Sequence, residues 1–418
     1  MINTRSSAAY LSLARLFSMR RVLIGFALIV SFLFQFSVAW RLREQIASGL
    51  PDFSAFYTGG KIVAAGDGSH LYDLATQERV EGASTVRSNS ATFLPYIHAP
   101  FEAVLFAPLA LFSYSTAFWI WWACNLLFSY LVLFLLRPHL PRLNTRLYLA
   151  ILGVGCFLPL LTSECQGQDS VLSLLLFTIC FVNLAKGRAW IAGSALALAT
   201  YKPQLALVMI AILAITSERR WRILAGFFQT GVGLAILSAI LPGWRACFAY
   251  PGFMKLYAAG FDDVRGRIYL MPNLRGLMYA AFGSHLSHHA FVLLVGAIAA
   301  LFVLAALWAL QSKGAAVQET HLHFALLVTV TQIVTYHEFF HDMTVLLLPL
   351  YLVWNSLAET GLHTWKRRFL AAIVLLLFLY WLFLPVSSFP LDACAAIAFF
   401  ALLCWELRTA GGPASAVV

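Results

Sequence analysis

Charge is what this sequence most lacks. Of its 418 residues only 11% are Asp, Glu, Lys or Arg, while 61% are hydrophobic. Soluble domains carry about 25% charged residues, so the composition excludes an ordinary soluble fold and implies a polytopic membrane protein. The net charge of +10 does not point to nucleic acid, and no such partner is expected. The cations sit in short runs between apolar segments, at 15–21, 219–222 and 366–368, as membrane orientation signals do. Cysteine is sparse too. The seven cysteines are scattered, with no Cys-x-x-Cys pair and no metal-ligand spacing, which excludes a disulfide framework. No internal repeat, low-complexity loop or soluble dinucleotide-type domain for a nucleotide sugar is visible. No small-residue cleavage site follows the apolar segment 22–40, which is read as a retained first span.

A span needs about 20 apolar residues. The segments that approach this are 22–40, 97–113, 116–136, 147–164, 170–185, 189–216, 222–241, 290–311, 322–336, 343–358, 369–386 and 391–407. The fold expected is a single all-α integral membrane domain over 1–418, with about 12 transmembrane helices. The basic runs put the N-terminus, 217–222, 365–368 and Arg408 in the cytoplasm. Two long loops, 41–96 and 242–289, then lie outside, together with the region 337–342. The middle is less regular. Arg137, Arg142 and Arg146 fall outside in this count, and 189–216 carries Lys202-Pro203 near its centre. Proline breaks or kinks a helix, so that segment is one kinked span or two half-spans.

Candidate site residues begin at Leu50-Pro51-Asp52-Phe53-Ser54-Ala55-Phe56-Tyr57, directly after the first span. Phe53, Phe56 and Tyr57 share a helix face. A short helix lying against the membrane surface would hold Asp52 at the lipid–water boundary. Asp is also a preferred helix N-cap, and the two roles stay open at this point. Ionisable groups inside apolar segments usually face a cavity or a partner. Glu164-Cys165-Gln166-Gly167-Gln168-Asp169-Ser170 is such a polar break, with an ordinary loop as the alternative. Lys202, beside Pro203, lies about 20 Å along a helix from the nearer end of its segment, too far to snorkel comfortably, and suits a phosphate. His337-Glu338-Phe339-Phe340-His341 has the His-Glu-x-x-His spacing of zinc proteases. Arg275, in the second outer loop, is either a solvated arginine or an anion contact.

The order of these motifs resembles glycosyltransferase family 87, the polyprenyl-phosphate-mannose-dependent mannosyltransferases and relatives of the C-type membrane glycosyltransferases. Asp52-Phe53 with Phe56-Tyr57 is similar to that family's opening motif, and Tyr72-Asp73 to its tyrosine after a glycine turn. His98-Ala99-Pro100-Phe101 stands where Tyr-Pro-Pro is usual, Gly167-Gln168-Asp169 where Gly-Gln-Asn is. Tyr201-Lys202-Pro203-Gln204 matches a signature, and Arg220-Trp221-Arg222 follows it. Met271-Pro272-Asn273 with Arg275, and His341-Asp342-Met343 within a closing motif that ends at Pro349, complete a resemblance over about residues 50–350. His98 and the His-rich closing motif depart from the family pattern.

The resemblance implies a C-type fold with short surface helices in the first outer loop. It implies a membrane transferase that moves a sugar, mannose being the commonest, from a polyprenyl-phosphate donor to a lipid or glycan acceptor at the outer face. A bacterial inner membrane, with the site facing the periplasm, fits the short basic loops. Asp52 is the expected general base, with His337 or His341 assisting. Lys202 and Arg275 are expected on the donor phosphate, and Gln168, Asp169, Tyr57 and Tyr201 on donor or sugar. No metal or other cofactor is expected, and activity is expected to survive chelators. The rivals are a lipid-linked-sugar flippase, which would more readily show inverted repeats, and an intramembrane zinc hydrolase on His337, Glu338 and His341.

Overall fold

The computed structural model describes residues 4–85, 93–261, 268–283, 285–311, 317–379 and 391–410, with side chains throughout except at 4–18, 258–261, 317–320 and 410. Every regular element among them is helical. Several are long and apolar enough to cross a membrane: Met19–Arg41, Tyr114–Leu136, Arg220–Tyr257, His288–Leu310 and Phe340–Thr360, and a sixth if a bent pair is one span. The chain is a helical membrane protein, but these helices do not reach the expected twelve.

The shortfall has a physical cause. The segment 147–164 is two helices, Leu147–Cys156 and Leu158–Gln166, bent by 54°. The segment 189–216 is Ala189–Leu198, one tight turn, then Pro203–Thr216. Pro203 opens that last helix, where its missing N–H is no loss. The segment 97–113 becomes the short helix Pro100–Phe106 followed by a 3-10 turn. The segment 369–386 extends into 380–390, outside the described residues. Helices too short to span are tolerated at membrane depth when protein buries their broken ends. The helices Ser170–Ala185, Ala189–Leu198 and Pro203–Thr216 bury this way. Their apolar faces join one continuous core that runs from Ala27 to Leu407.

A second apolar cluster holds the segment that follows the first span. The helix Phe53–Ala64 does not lie on a surface with one face inward. Phe53, Ser54, Ala55, Phe56, Tyr57, Thr58, Gly59 and Gly60 are all buried. Phe53 meets Phe118 edge-on at 5.5 Å, and Phe56 stacks on Phe106 at 4.8 Å. Gly60 permits this, because a Cβ there would come within 2.6 Å of the Phe106 backbone. The next helix, Leu74–Ser84, starts at Asp73, whose side chain accepts from the Thr76 amide at 3.0 Å. Those hydrogen bonds from Thr76 hold the Asp73 carboxyl below the usual range.

Gly167 joins the two clusters. It ends the Leu158–Gln166 helix in the left-handed region at φ +62°, and a Cβ there would come within 2.7 Å of Phe53 Cβ. Gly167→Ala should therefore cost at least ~1–2 kcal/mol from the left-handed backbone alone. It should lower the thermal unfolding midpoint of the detergent-solubilised protein. A midpoint equal to the parent's would show that neither the strain nor the Phe53 contact matters.

Candidate active site

Three breaks in the helices meet at one place. They are Gly167-Gln168-Asp169 between two helices, Tyr201-Lys202 before Pro203, and His337-Glu338-Phe339 before the Phe340–Thr360 helix. Side chains on neighbouring helices take up the freed backbone groups. Trp121 Nε1 donates to the Gly167 carbonyl at 3.0 Å, and Asn125 Nδ2 to the Gln168 carbonyl at 3.1 Å. Gln204 Nε2 donates to the His337 carbonyl at 3.4 Å.

Lys202 ties the three breaks together. Its Nζ lies 2.6 Å from Asp169 Oδ1 and 2.7 Å from Ser170 Oγ, and makes a short ion pair with Asp342 Oδ1. Asp342 also accepts from Ser170 Oγ at 2.9 Å and from the Phe339 amide at 3.0 Å. All three charged groups are buried, Lys202 at 5% exposure, Asp169 at 0% and Asp342 at 6%. The expectation of a lysine awaiting a lipid phosphate therefore meets a different arrangement. Two distant carboxylates already compensate this ammonium, and Asp169 is held by it.

Asp52 stands at the N-cap position of the Phe53–Ala64 helix but does not cap it. Its backbone is right-handed helical, at φ −60° and ψ −18°, and its side chain makes no capping hydrogen bond. The carboxylate instead accepts from Gln168 Nε2 at 2.6 Å and is half-buried. Gln168 thus links the segment after the first span to the polar break, and His341 lies within electrostatic reach of both Asp52 and Asp169.

The closing motif is not a zinc-protease helix. His337 and Glu338 lie in irregular chain, and helix begins only at Phe340. The two histidines therefore do not share a helix face. Glu338 turns away to a short hydrogen bond from Gln332 Nε2, and burial raises its pKa. His341 Nε2 sits 3.5 Å from Asp342 Oδ2. Burial pushes the His337 imidazole down to about 4, so it is neutral at pH 7. The helical His-Glu-x-x-His arrangement on which the hydrolase alternative rested is therefore absent among the described residues.

Arg275 joins the site through its own loop. Asn273 caps the Leu274–Phe282 helix, accepting from the Gly276 amide at 3.1 Å, and donates to the Thr335 carbonyl at 2.7 Å. That docking lays the buried Arg275 guanidinium 3.9 Å over the Tyr336 ring, next to His337. The two tyrosines lie elsewhere. Tyr57 donates to the Phe112 carbonyl at 2.7 Å, inside the first-loop core. Tyr201 shares a 2.9 Å hydrogen bond with Ser173, under the Lys202 turn. Both hydroxyls are engaged in holding the fold.

Three acidic or basic neighbours are not among the site residues expected from the sequence: Asp342 and His98, which it marks only within family motifs, and Glu102. Glu102 is a carboxylate inside the apolar segment 97–113, so the rule that singled out Lys202 also applies to it. His98 Nδ1 lies 2.9 Å from Glu102 Oε2 and 4.0 Å from Asp169 Oδ2. Phe56 packs on the His98 ring at 4.7 Å, and Tyr72 donates to its carbonyl at 2.6 Å.

Removing one partner of a buried ion pair costs about 3–5 kcal/mol, because the other charge is left uncompensated. Lys202→Met should therefore lower the yield of folded protein and its unfolding midpoint before any kinetic effect is read. Adding Asp342→Asn to it should recover part of that loss. If Lys202→Met unfolds where the parent does, the ion-pair role is wrong.

The sequence model for glycosyltransferase family 87 matches residues 96–335, more than half of the chain. Gln168, Asp169, Lys202 and Arg275 lie within the match, whereas Asp52, His337 and His341 lie outside it. No curated protein matches the chain. The matched segment carries the polar break, the Lys202 turn and the Arg275 loop that the fold brings together, and the chain belongs to glycosyltransferase family 87.

Proposed function

We propose that this membrane glycosyltransferase moves a sugar, mannose first among them, from a polyprenyl-phosphate donor to an acceptor hydroxyl at the outer face of the membrane. The observation that carries the reading is Asp52: a half-exposed carboxylate directly after the first span, free of capping and held by Gln168 at 2.6 Å. The acceptor oxygen attacks the anomeric carbon as the carbon–oxygen bond to phosphate breaks. Its proton passes to Asp52, and the polyprenyl phosphate leaves as a stable anion, so no general acid is needed. A single in-line displacement inverts the anomeric centre.

The developing charge on the phosphate calls for a fixed cation. Arg275 is assigned that contact. Lys202, with its charge compensated by Asp169 and Asp342, acts first on the shape of the site. Gln168 and the neutral His337 suit sugar or acceptor hydroxyls, and His341 orients beside Asp52. The donor enters from the lipid and the acceptor is a lipid or a glycan. The periplasmic side of a bacterial inner membrane is the setting proposed, on the strength of the basic runs at 219–222 and 366–368.

The test is transfer from a radiolabelled polyprenyl-phosphate sugar to a membrane lipid extract. Asp52→Asn should lower turnover at least ~100-fold, the lower range for loss of a general base. Its Oδ1 can still accept from Gln168, so insertion and the unfolding midpoint should stay at the parent's values. Turnover at the parent's rate would remove Asp52 from the chemistry.

A further inference from the structure

His98 and Glu102 flank the start of the Pro100–Phe106 helix, and Asp169 reaches them from the polar break. Their ligating atoms lie within 4.8 Å of one another. An ion bonded at about 2.1 Å sets its ligand atoms at most about 4.2 Å apart, so this trio closes on one with a small side-chain adjustment. The imidazole is already oriented, by Phe56 against its ring and Tyr72 on its carbonyl.

The second observation is unsatisfied charge. Glu102 is 1% exposed and Asp169 0%. The two carboxyl groups face each other within hydrogen-bond reach, and only a shared proton or a cation can hold two such oxygens together. Lys202 holds the other Asp169 oxygen and leaves Oδ2 to the trio. Asp169 and Asp342 pair with Lys202 and Glu102 with His98, so with all three carboxylates ionised the negative charge exceeds the positive by one when His98 is protonated and by two when it is neutral. Buried charges are paired or bind metal. A divalent ion would cancel that excess. One imidazole with two carboxylates suits zinc or manganese better than magnesium or calcium, which prefer all-oxygen sites. The His98 side chain, 19% exposed, leaves a side open for access and for a further ligand.

We propose that His98, Glu102 and Asp169 bind one divalent transition-metal ion of the zinc–manganese class. The site is separate from the His-Glu-x-x-His run and replaces the expectation of a chain without metal. A proton shared between Glu102 and Asp169 is the competing occupant.

The full-length protein in detergent, stripped with chelator and dialysed against Zn²⁺, tests this by metal analysis. About one ion per chain is expected, with affinity at least tenfold weaker in His98→Ala and in Glu102→Gln. X-ray absorption at the zinc edge of the loaded parent should read a nitrogen–oxygen shell with a single imidazole. A parent without stoichiometric metal overturns the proposal and leaves the shared proton. Unchanged affinity in both variants, or a shell with two imidazoles, overturns it as well, the latter in favour of His337 and His341. Where a variant does not fold, the parent's stoichiometry and imidazole count decide.

Discussion

The ammonium of Lys202 stands between Asp169 and Asp342, and the arrangement of the site depends on that contact. Each of the three residues sits at or next to a break in a different helical segment. Broken helices at membrane depth expose backbone N–H and C=O groups that lipid cannot satisfy. Bringing the breaks together lets side chains such as Trp121, Asn125 and Gln204 take those groups. A buried ion pair is weak evidence for stability in itself, because desolvation offsets much of the attraction. It is strong as a constraint on register, since any shift of one break would leave a bare charge in an apolar interior.

The segment after the first span reaches the same place by a different route. Its helix Phe53–Ala64 is held by aromatic packing and by glycines that let backbones approach closely. Asp52 is therefore placed by an apolar core on one side and by one hydrogen bond from Gln168 on the other. A carboxylate fixed in this way loses little freedom when an acceptor arrives, the kind of preorganisation transferases gain from. Separating the cations also fits a reaction between an anionic donor and a carboxylate base. Arg275 comes from the start of the Leu274–Phe282 helix, and Lys202 is shielded by its own carboxylates. A base beside an uncompensated ammonium would hold its proton less readily.

The sequence by itself determined the class of the protein. Scarce charge, long apolar runs and basic clusters between them specify a helical membrane protein, because lipid excludes almost everything else. It also marked Lys202, Asp169, Gln168 and Arg275 as polar groups in unusual surroundings, and the order of motifs marked the family. Local pattern could go no further. Periodicity is blind to whether 189–216 is one helix or two, and a match to His-Glu-x-x-His is blind to where a helix begins. Tertiary structure decided that Asp52 is held by Gln168 instead of capping its helix, and that the stretch Phe53 to Gly60 is buried all round. It also decided that Lys202 belongs to Asp169 and Asp342. These partners are 33 and 140 positions away from the lysine in the chain, so no local window contains them. The desolvation cost of a buried charge guarantees that such a partner exists, but only the packing of the helices selects which one.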